Sequence, residues 1–451
     1  QRAPASAIVW GFALPGTIVK TVFDGRVYSS QANNDTVWRQ KLMPTAAGGP
    51  YTISFSASTG ESAFLSDVLF GDVYVCGGQS NMVFQLKTNK NGWDYSNEAF
   101  HYHDIRIFAA GFNTLGSKLP LMDLNEVFQN WSKPGAFNYG ARYTGYYAVA
   151  DFSAVCWFFG KSVFDGLGKK VPIGLMLIAR GDSNSQKWMS SDTSLPCGHA
   201  STGEFYNALV FPFTVGPMAV TGFIFWQGEN DLGDRWDVHQ WPDNNNYTCT
   251  QAALITQWRN EFQVPKAFWG TVQLSTVVGR RWWHSELTTQ PWLVAHLREQ
   301  QVESGNLIPS FAYVASADYG AGLNHVHGIY KQYPGYRLAN AALSMVYNKP
   351  IQWRSPKYET ATEVSLGEVI VWLSDVTAAG LILKPPGNAR IVPDCFKKPR
   401  ACVWPNLQFD DPHLTWVNAS VALGTDNQTM VLNAIPPTGA TRVVATSYGW
   451  G

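Results

Sequence analysis

The feature that most constrains this chain is the segment Asp72-Val73-Tyr74-Val75-Cys76, which is apolar after its first residue and stops at Gly77-Gly78. A half-exposed strand alternates apolar and polar residues, whereas a strand covered on both faces need not. The run therefore predicts a central strand of a sheet sandwiched by helices. From there to about residue 345, strand-like runs (Ile173 to Ile178, Ala219 to Trp226, Phe268 to Leu274, Ser310 to Ser316) alternate with helix-like ones (Asp151 to Leu167, Thr250 to Phe262, Pro291 to Glu303, Lys331 to Tyr347). That alternation builds a parallel sheet with helices on both faces. On either side the texture is all-β, with short runs between Gly, Pro and Asn. They are Ala7 to Trp10, Thr17 to Val22 and Thr52 to Ser56 before it, and Glu368 to Leu373, Gly380 to Leu383, Thr429 to Ile435 and Arg442 to Ser447 after it. The expected division is an N-terminal β unit (1–71), an α/β unit (72–348) and a C-terminal β-sandwich (349–451). A chain of 451 residues is too long for one core.

Lys plus Arg and Asp plus Glu are both 33, so no net charge recruits nucleic acid or a basic partner. Charged residues make up only 15% of the chain, against roughly 25% in an ordinary globular protein. Attached sugar is one way to keep such a surface soluble. Acceptor sequons stand at Asn34, Asn130, Asn246, Asn418 and Asn427. No run reaches the roughly 20 apolar residues of a membrane helix. The chain starts at Gln1 without a basic and then apolar leader, so the expectation is a mature protein whose signal peptide has been removed. A secreted, lysosomal or endomembrane-lumen location follows. The oligomeric state is left open.

Four blocks carry chemistry. Gly78-Gln79-Ser80-Asn81-Met82 follows the central strand directly, where a tight turn into a helix start would lift a nucleophilic hydroxyl clear of the sheet. Gly181 follows a second buried strand and would let a backbone N–H approach a ligand closely. Trp226-Gln227-Gly228-Glu229-Asn230-Asp231 ends a third, and Asn230 could aim its amide at an oxyanion. Asn324-His325-Val326-His327 supplies a general base. Alone, each block is equally an ordinary turn or a packed ring. His101-Tyr102-His103 repeats the His-x-His spacing of a metal pair, but no third ligand sits at useful spacing, so neither metal nor cofactor is expected.

Together the blocks, in the order Ser, Gly, Asn, His, resemble the SGNH hydrolase superfamily and, more closely, the sialate O-acetylesterase family. The closer likeness rests on several segments. They are Gly48-Gly49-Pro50-Tyr51-Thr52-Ile53, Asp67-Val68-Leu69-Phe70-Gly71-Asp72-Val73, Val171-Pro172-Ile173-Gly174-Leu175, Trp226-Gln227-Gly228-Glu229 and Leu297-Arg298-Glu299. His327 with Lys331, Gly335 and Arg337 keeps the family's spacing, with Gly328 in place of a Pro, and Tyr448-Gly449-Trp450 resembles the last strand of the family's β domain. The resemblance implies a three-layer α/β/α, flavodoxin-like parallel sheet flanked by the two β units. It also implies a serine esterase acting on O-acetylated sugars, above all sialic acids or sialoglycans. An acetylxylan-type esterase and a weakly active or non-catalytic carbohydrate-binding relative are the alternatives.

Carried onto this chain, the resemblance makes Ser80 the nucleophile and His327 the base. The oxyanion hole would comprise the Ser80 and Gly181 N–H groups and the Asn230 amide. Gln79, Trp188, Gln227 and Glu229 are expected to line the substrate site. One position departs from the pattern. Where the superfamily has an Asp shortly before the catalytic His, this chain has Asn324 and His325, so Asp318 is the candidate acid that orients the ring, with a backbone carbonyl or Asn324 as the other options. Among the cysteines, Cys395 and Cys402 flank a short basic loop and are expected to pair, as are Cys197 and Cys249 in polar sequence. Cys76 and Cys156 lie in apolar runs and are expected to be free and packed.

Overall fold

The computed structural model describes residues 1–111, 114–137, 147–191, 197, 201–232, 246–275, 291–319, 326–382 and 405–447. Cys395, Cys402, Asn324, His325, Leu383 and Tyr448–Trp450 lie outside the described residues. The N-terminal unit pairs β1 (Ile8–Phe12) with β4 (Val37–Lys41), and sets β2 (Ile18–Phe23), β3 (Arg26–Gln31), β5 (Gly48–Ala57) and β6 (Ser62–Phe70) in a four-stranded antiparallel sheet. It leans on the next unit through Arg39, whose Nε donates to Val215 O at 2.8 Å, and through Trp10, which packs so closely that a Cβ on Gly216 would lie 2.0 Å from its ring.

The α/β unit holds β7 (Asp72–Gly78), α1 (Ser80–Val83), α2 (Gly92–Glu98), β8 (Ile105–Ala110), β9 (Val127–Ser132), α3 (Ala154–Gly166), β10 (Ile173–Ala179), β11 (Gly222–Trp226), α4 (Tyr247–Glu261), β12 (Phe268–Val272), α5 (Pro291–Leu307), β13 (Phe311–Val314) and α6 (Gln332–Met345). Seven strands form one sheet in the order β13-β12-β11-β7-β10-β8-β9. All neighbours run parallel except β9, an antiparallel edge strand that the sequence pattern did not show. The continuous apolar run of β7 has its physical reason here. Tyr74 and Cys76 pack towards α3 and α6, Val75 packs towards Trp258 and Phe225 on the other face, and all three are fully buried.

Cys76 and Cys156 are not free: they form a disulfide with a Cα–Cα distance of 5.9 Å, tying β7 to α3. Two packed apolar cysteines and a buried bridge read alike in sequence, because both demand an apolar setting. Closing the 80-residue separation contributes about 4.5 kcal/mol in the chain-entropy model. Cys197 and Cys249 form a second disulfide. The C-terminal region holds a four-stranded antiparallel sheet, β14 (Lys357–Ser365), β15 (Glu368–Ser374), β18 (Ser420–Leu423) and β19 (Thr429–Asn433). Three further strands, β16 (Asn406–Phe409), β17 (Trp416–Asn418) and β20 (Val443–Ser447), form its partner sheet, and the two share a core of Val369, Val371, Leu407, Phe409 and Leu432. The run expected at Gly380 is not a strand as far as Ile382; Gly380 turns with φ +78°. No helix among the described residues is long and apolar enough to cross a membrane.

Candidate active site

The chain order places β10 on one side of β7 and β11 on the other, which makes the carboxyl end of β7 the switch point of the sheet. In open α/β sheets ligands bind in the crevice at that point. The register sharpens it, because Gly78 pairs with Ala179 on one flank and Trp226 on the other, so three strands end level. Gly78 takes φ +132°, and a Cβ there would sit 2.1 Å from Trp226 O, so only Gly allows β7 to end this way. Arg180 N donates to Gly78 O at 3.0 Å and Gln79 N to Trp226 O at 2.9 Å, closing both ladders. The chain then turns into α1, whose first backbone bonds run from Met82 N and Val83 N to Gln79 O. The Ser80 N–H lies ahead of that ladder.

Between Tyr74 and Met82, Ser80 is the one residue that is not buried. Gly181 stands beside it: a Cβ on Gly181 would lie 3.7 Å from Ser80 Cβ. Asn230 sits half-buried in the turn Glu229–Asp231 that follows β11. His327 comes from beyond the edge strand β13, and hydrogen bonds hold its loop at the switch point. Val326 O accepts from Asn81 Nδ2 at 3.1 Å, Ile329 O accepts from Lys90 N at 2.8 Å, and the His327 ring lies 6.4 Å from that of Phe84. The residue before His327 is thus bonded to the residue after Ser80.

Two carboxylates of the β11 turn support this arrangement differently. Glu229 accepts from Asn81 Nδ2 at 2.5 Å through Oε1 and from Gln79 Nε2 through Oε2. Asp231 accepts from Ser185 N (3.1 Å), from Ser185 Oγ (2.5 Å) and from Gln227 Nε2. Burial pushes Asp231 up to about 6, against the hydrogen bonds that pull it down. Gln227 also donates to Ser183 O at 3.0 Å and accepts from Tyr247 OH at 2.9 Å.

These contacts correct three expectations. Gln79, Trp188 and Gln227 are fully buried and so do not line an open substrate pocket. Trp188 is a core residue: its Nε1 donates to Ser183 Oγ at 2.9 Å and its rings pack on Phe205 and Trp258. The Gln227 amide is satisfied on both sides by Ser183, Asp231 and Tyr247, and Gln79 donates through Nε2 to Glu229, which is why polar side chains are tolerated there.

Asp318 is also placed differently from its expected role. Its two oxygens accept from Arg337 Nη1 and Nη2 at 2.8 and 2.6 Å, and Arg337 also donates to Ala315 O at 2.7 Å. A bidentate guanidinium commits the carboxylate to α6. The residues that sequence reasoning left without a role are Asn81 and Lys331. Lys331 Nζ, four residues after His327 and 1% exposed, donates to Asn81 Oδ1. Its strict spacing from the His was the available signal. No group of three metal-ligating side chains occurs among the described residues.

The class so defined is an α/β protein whose largely parallel sheet carries a Ser turn at its switch point and a His on the loop after β13. Residues 70–344 match the model of the family described as carbohydrate esterase, sialic acid-specific acetylesterase, and the chain belongs to that family. It is 31% identical over 312 residues to sialate O-acetylesterase from Homo sapiens and to that from Pongo abelii, an alignment covering 62% of this chain and 56% of each relative. The chain therefore spans little more than half the length of those relatives. The protein of the same name from Rattus norvegicus is 27% identical over 416 residues, covering 77% of this chain and 72% of its own. A solved carbohydrate acetylesterase from Xanthomonas citri shares the fold with a TM-score of 0.74 at 24% identity, over 99% of this chain and 90% of that one.

Proposed function

We propose that the chain is a serine esterase that hydrolyses O-acetyl esters of sugars, O-acetylated sialic acids first among them. The observation that carries this reading is the level ending of β10, β7 and β11, which gathers Gly181, Ser80 and the Asn230 turn at one point, with the His327 loop bonded to Asn81. Ser80 Oγ attacks the acetyl carbonyl while His327 takes its proton. The Ser80 and Gly181 N–H groups and the Asn230 amide hold the oxyanion. The sugar alkoxide leaves with the proton, and water repeats the cycle on the acetyl-serine to release acetate.

With Asp318 bound to Arg337, His327 works in this scheme as one half of a Ser–His dyad, its ring oriented by a backbone carbonyl or by Asn324. The family and the named relatives support acetylated sialic acid as substrate. Two disulfides support an oxidising compartment, and the exposed Asn34, Asn130, Asn246 and Asn427 are the sequons proposed to carry glycans. Asn418, half-buried on β17, is a poorer acceptor. The test is acetate release from O-acetylated sialic acid and from acetylated xylan, by wild type and Ser80→Ala. Release from the sialic acid that vanishes with Ser80→Ala supports the reading. Release from xylan alone would move the substrate, and release that survives the substitution would remove Ser80.

A further inference from the structure

Lys331 takes no part in the acyl-transfer steps above, yet its amine is carried almost completely out of water beside them. Burial pulls its ammonium down to about 7, with Glu229 opposing. Something must repay such a placement, and the geometry identifies it. Nζ has donors and, when protonated, no acceptor, so Asn81 must turn its oxygen towards Lys331. The Asn81 NH2 is then directed the other way, to Glu229 Oε1 at 2.5 Å and Val326 O at 3.1 Å. One amide orientation thereby touches a neighbour of the nucleophile, of the base and of the Asn230 donor. Asn81 follows the nucleophile, Val326 precedes the base, and Glu229 precedes Asn230 while accepting from Gln79.

Lys331 is itself held. Its backbone N–H donates to Asn89 Oδ1 at 2.8 Å, Asn89 Nδ2 donates to Gln332 Oε1 at 3.1 Å, and the amine lies 4.3 Å from the Trp226 ring centre and 5.0 Å from that of Phe84. A neutral amine still carries N–H groups, so donation to Asn81 survives loss of the proton.

We propose that Lys331 is a positioning residue, whose donation to Asn81 locks the nucleophile turn, the Asn230 turn and the His327 loop into one register. Its effect on turnover rests on the esterase reading; its coupling of the loops does not. Lys331→Met keeps the length and removes the donor, and the easier burial of a thioether offsets part of the cost of leaving the Asn81 oxygen without its partner. The expected result is a kcat lower by about 10–100-fold with KM within about twofold, the signature of misplaced rather than missing groups. Amide exchange should quicken in residues 79–84 as well as in 326–331. Combined with Asn81→Ala, the double variant should lose no more than Asn81→Ala alone.

Unchanged exchange in 79–84, a kcat within about threefold of wild type, or losses that multiply in the double variant would each overturn the inference. If Lys331→Met does not fold, Asn81→Ala decides through the same exchange, which must then quicken in 326–331. A wild type that releases no acetate would remove the esterase reading and leave the exchange comparison to judge Lys331.

Discussion

Strand β7 ends in a buried polar network both below and above, and the two are built differently. At its amino end Asp72 accepts from Arg2 Nε (2.9 Å) and Nη2 (3.0 Å) and from Tyr347 OH (2.9 Å), and Tyr347 OH lies 2.8 Å from Tyr74 OH. Burial pushes both phenols far up, so they remain donors at any working pH. Arg2 comes from the N-terminal β unit and Tyr347 from just beyond α6, so this end fastens three stretches of chain around one carboxylate. At the carboxyl end Asn81 links Glu229 to Lys331, while Ser80 stands part-exposed above them. The lower network is closed upon itself; the upper one is closed around an opening. The difference separates a clasp from a mount, although each sets a carboxylate and a cation at an end of the same strand, with Arg2 part-exposed at one and Lys331 buried at the other.

The contrast breaks first where the effect is largest. Ser80→Ala should lower kcat by on the order of 10⁴–10⁶ with thermal stability unchanged. A fluorophosphonate probe should label wild type once and this variant not at all. Asn230→Ala should lower kcat by on the order of 10²–10³ and fold normally, since one oxyanion donor is worth that much. A loss below about tenfold would make Asn230 a turn residue only.

The lower end should show the opposite profile. Asp72→Asn should destabilise by about 2–3 kcal/mol in urea titrations, at the modest end for a broken pair because the Arg2 side chain is 31% exposed, with kcat unchanged below the transition. A kcat drop of more than about threefold would end the division of labour between the two ends. Asp231 gives a subtler test. Its folded value of about 6 exceeds an unfolded value of about 3.9, so the folded chain binds the extra proton between them. Stability should rise by about 2–3 kcal/mol from this group as pH falls from 7 to 4, and Asp231→Asn should remove that slope. The smallest effect is expected at Asp318: with both oxygens on Arg337, Asp318→Asn should change kcat by less than about threefold. A loss of 10³ or more would restore it as the orienting acid.

The sheet was legible because β7 must be apolar on both faces, and its neighbours repeat that pattern with helices between. The edge strand β9 was not, because Val127-Phe128-Gln129-Asn130-Trp131-Ser132 lies largely exposed and carries no clean period. The turn into α1 was legible because Gly77-Gly78 mark the end of β7 just before Ser80. Burial was not legible: Gln79 and Gln227 are polar yet fully covered, and their hydrogen bonds run to partners up to 150 residues away. Trp188 read as a residue of the substrate site because a core Trp and a ligand-lining Trp have the same side chain. The pairing of Asp318 with Arg337 depends on how α6 docks against the end of β13, a matter of packing that spacing alone does not encode.

The bridge between Cys76 and Cys156 has a consequence for the protein's history. Both sulfurs sit at 0% exposure, four residues before Ser80 on one side and within α3 on the other. Exchange needs a thiolate to reach a sulfur along an open path. No dissolved thiol has such a path while the sheet and α3 remain packed. The bond therefore records the surroundings in which the chain folded, not those in which it later works. A molecule folded in an oxidising lumen carries its bridge intact into milder or even reducing fluid, while one folded in reducing cytosol cannot acquire it afterwards without first opening the core.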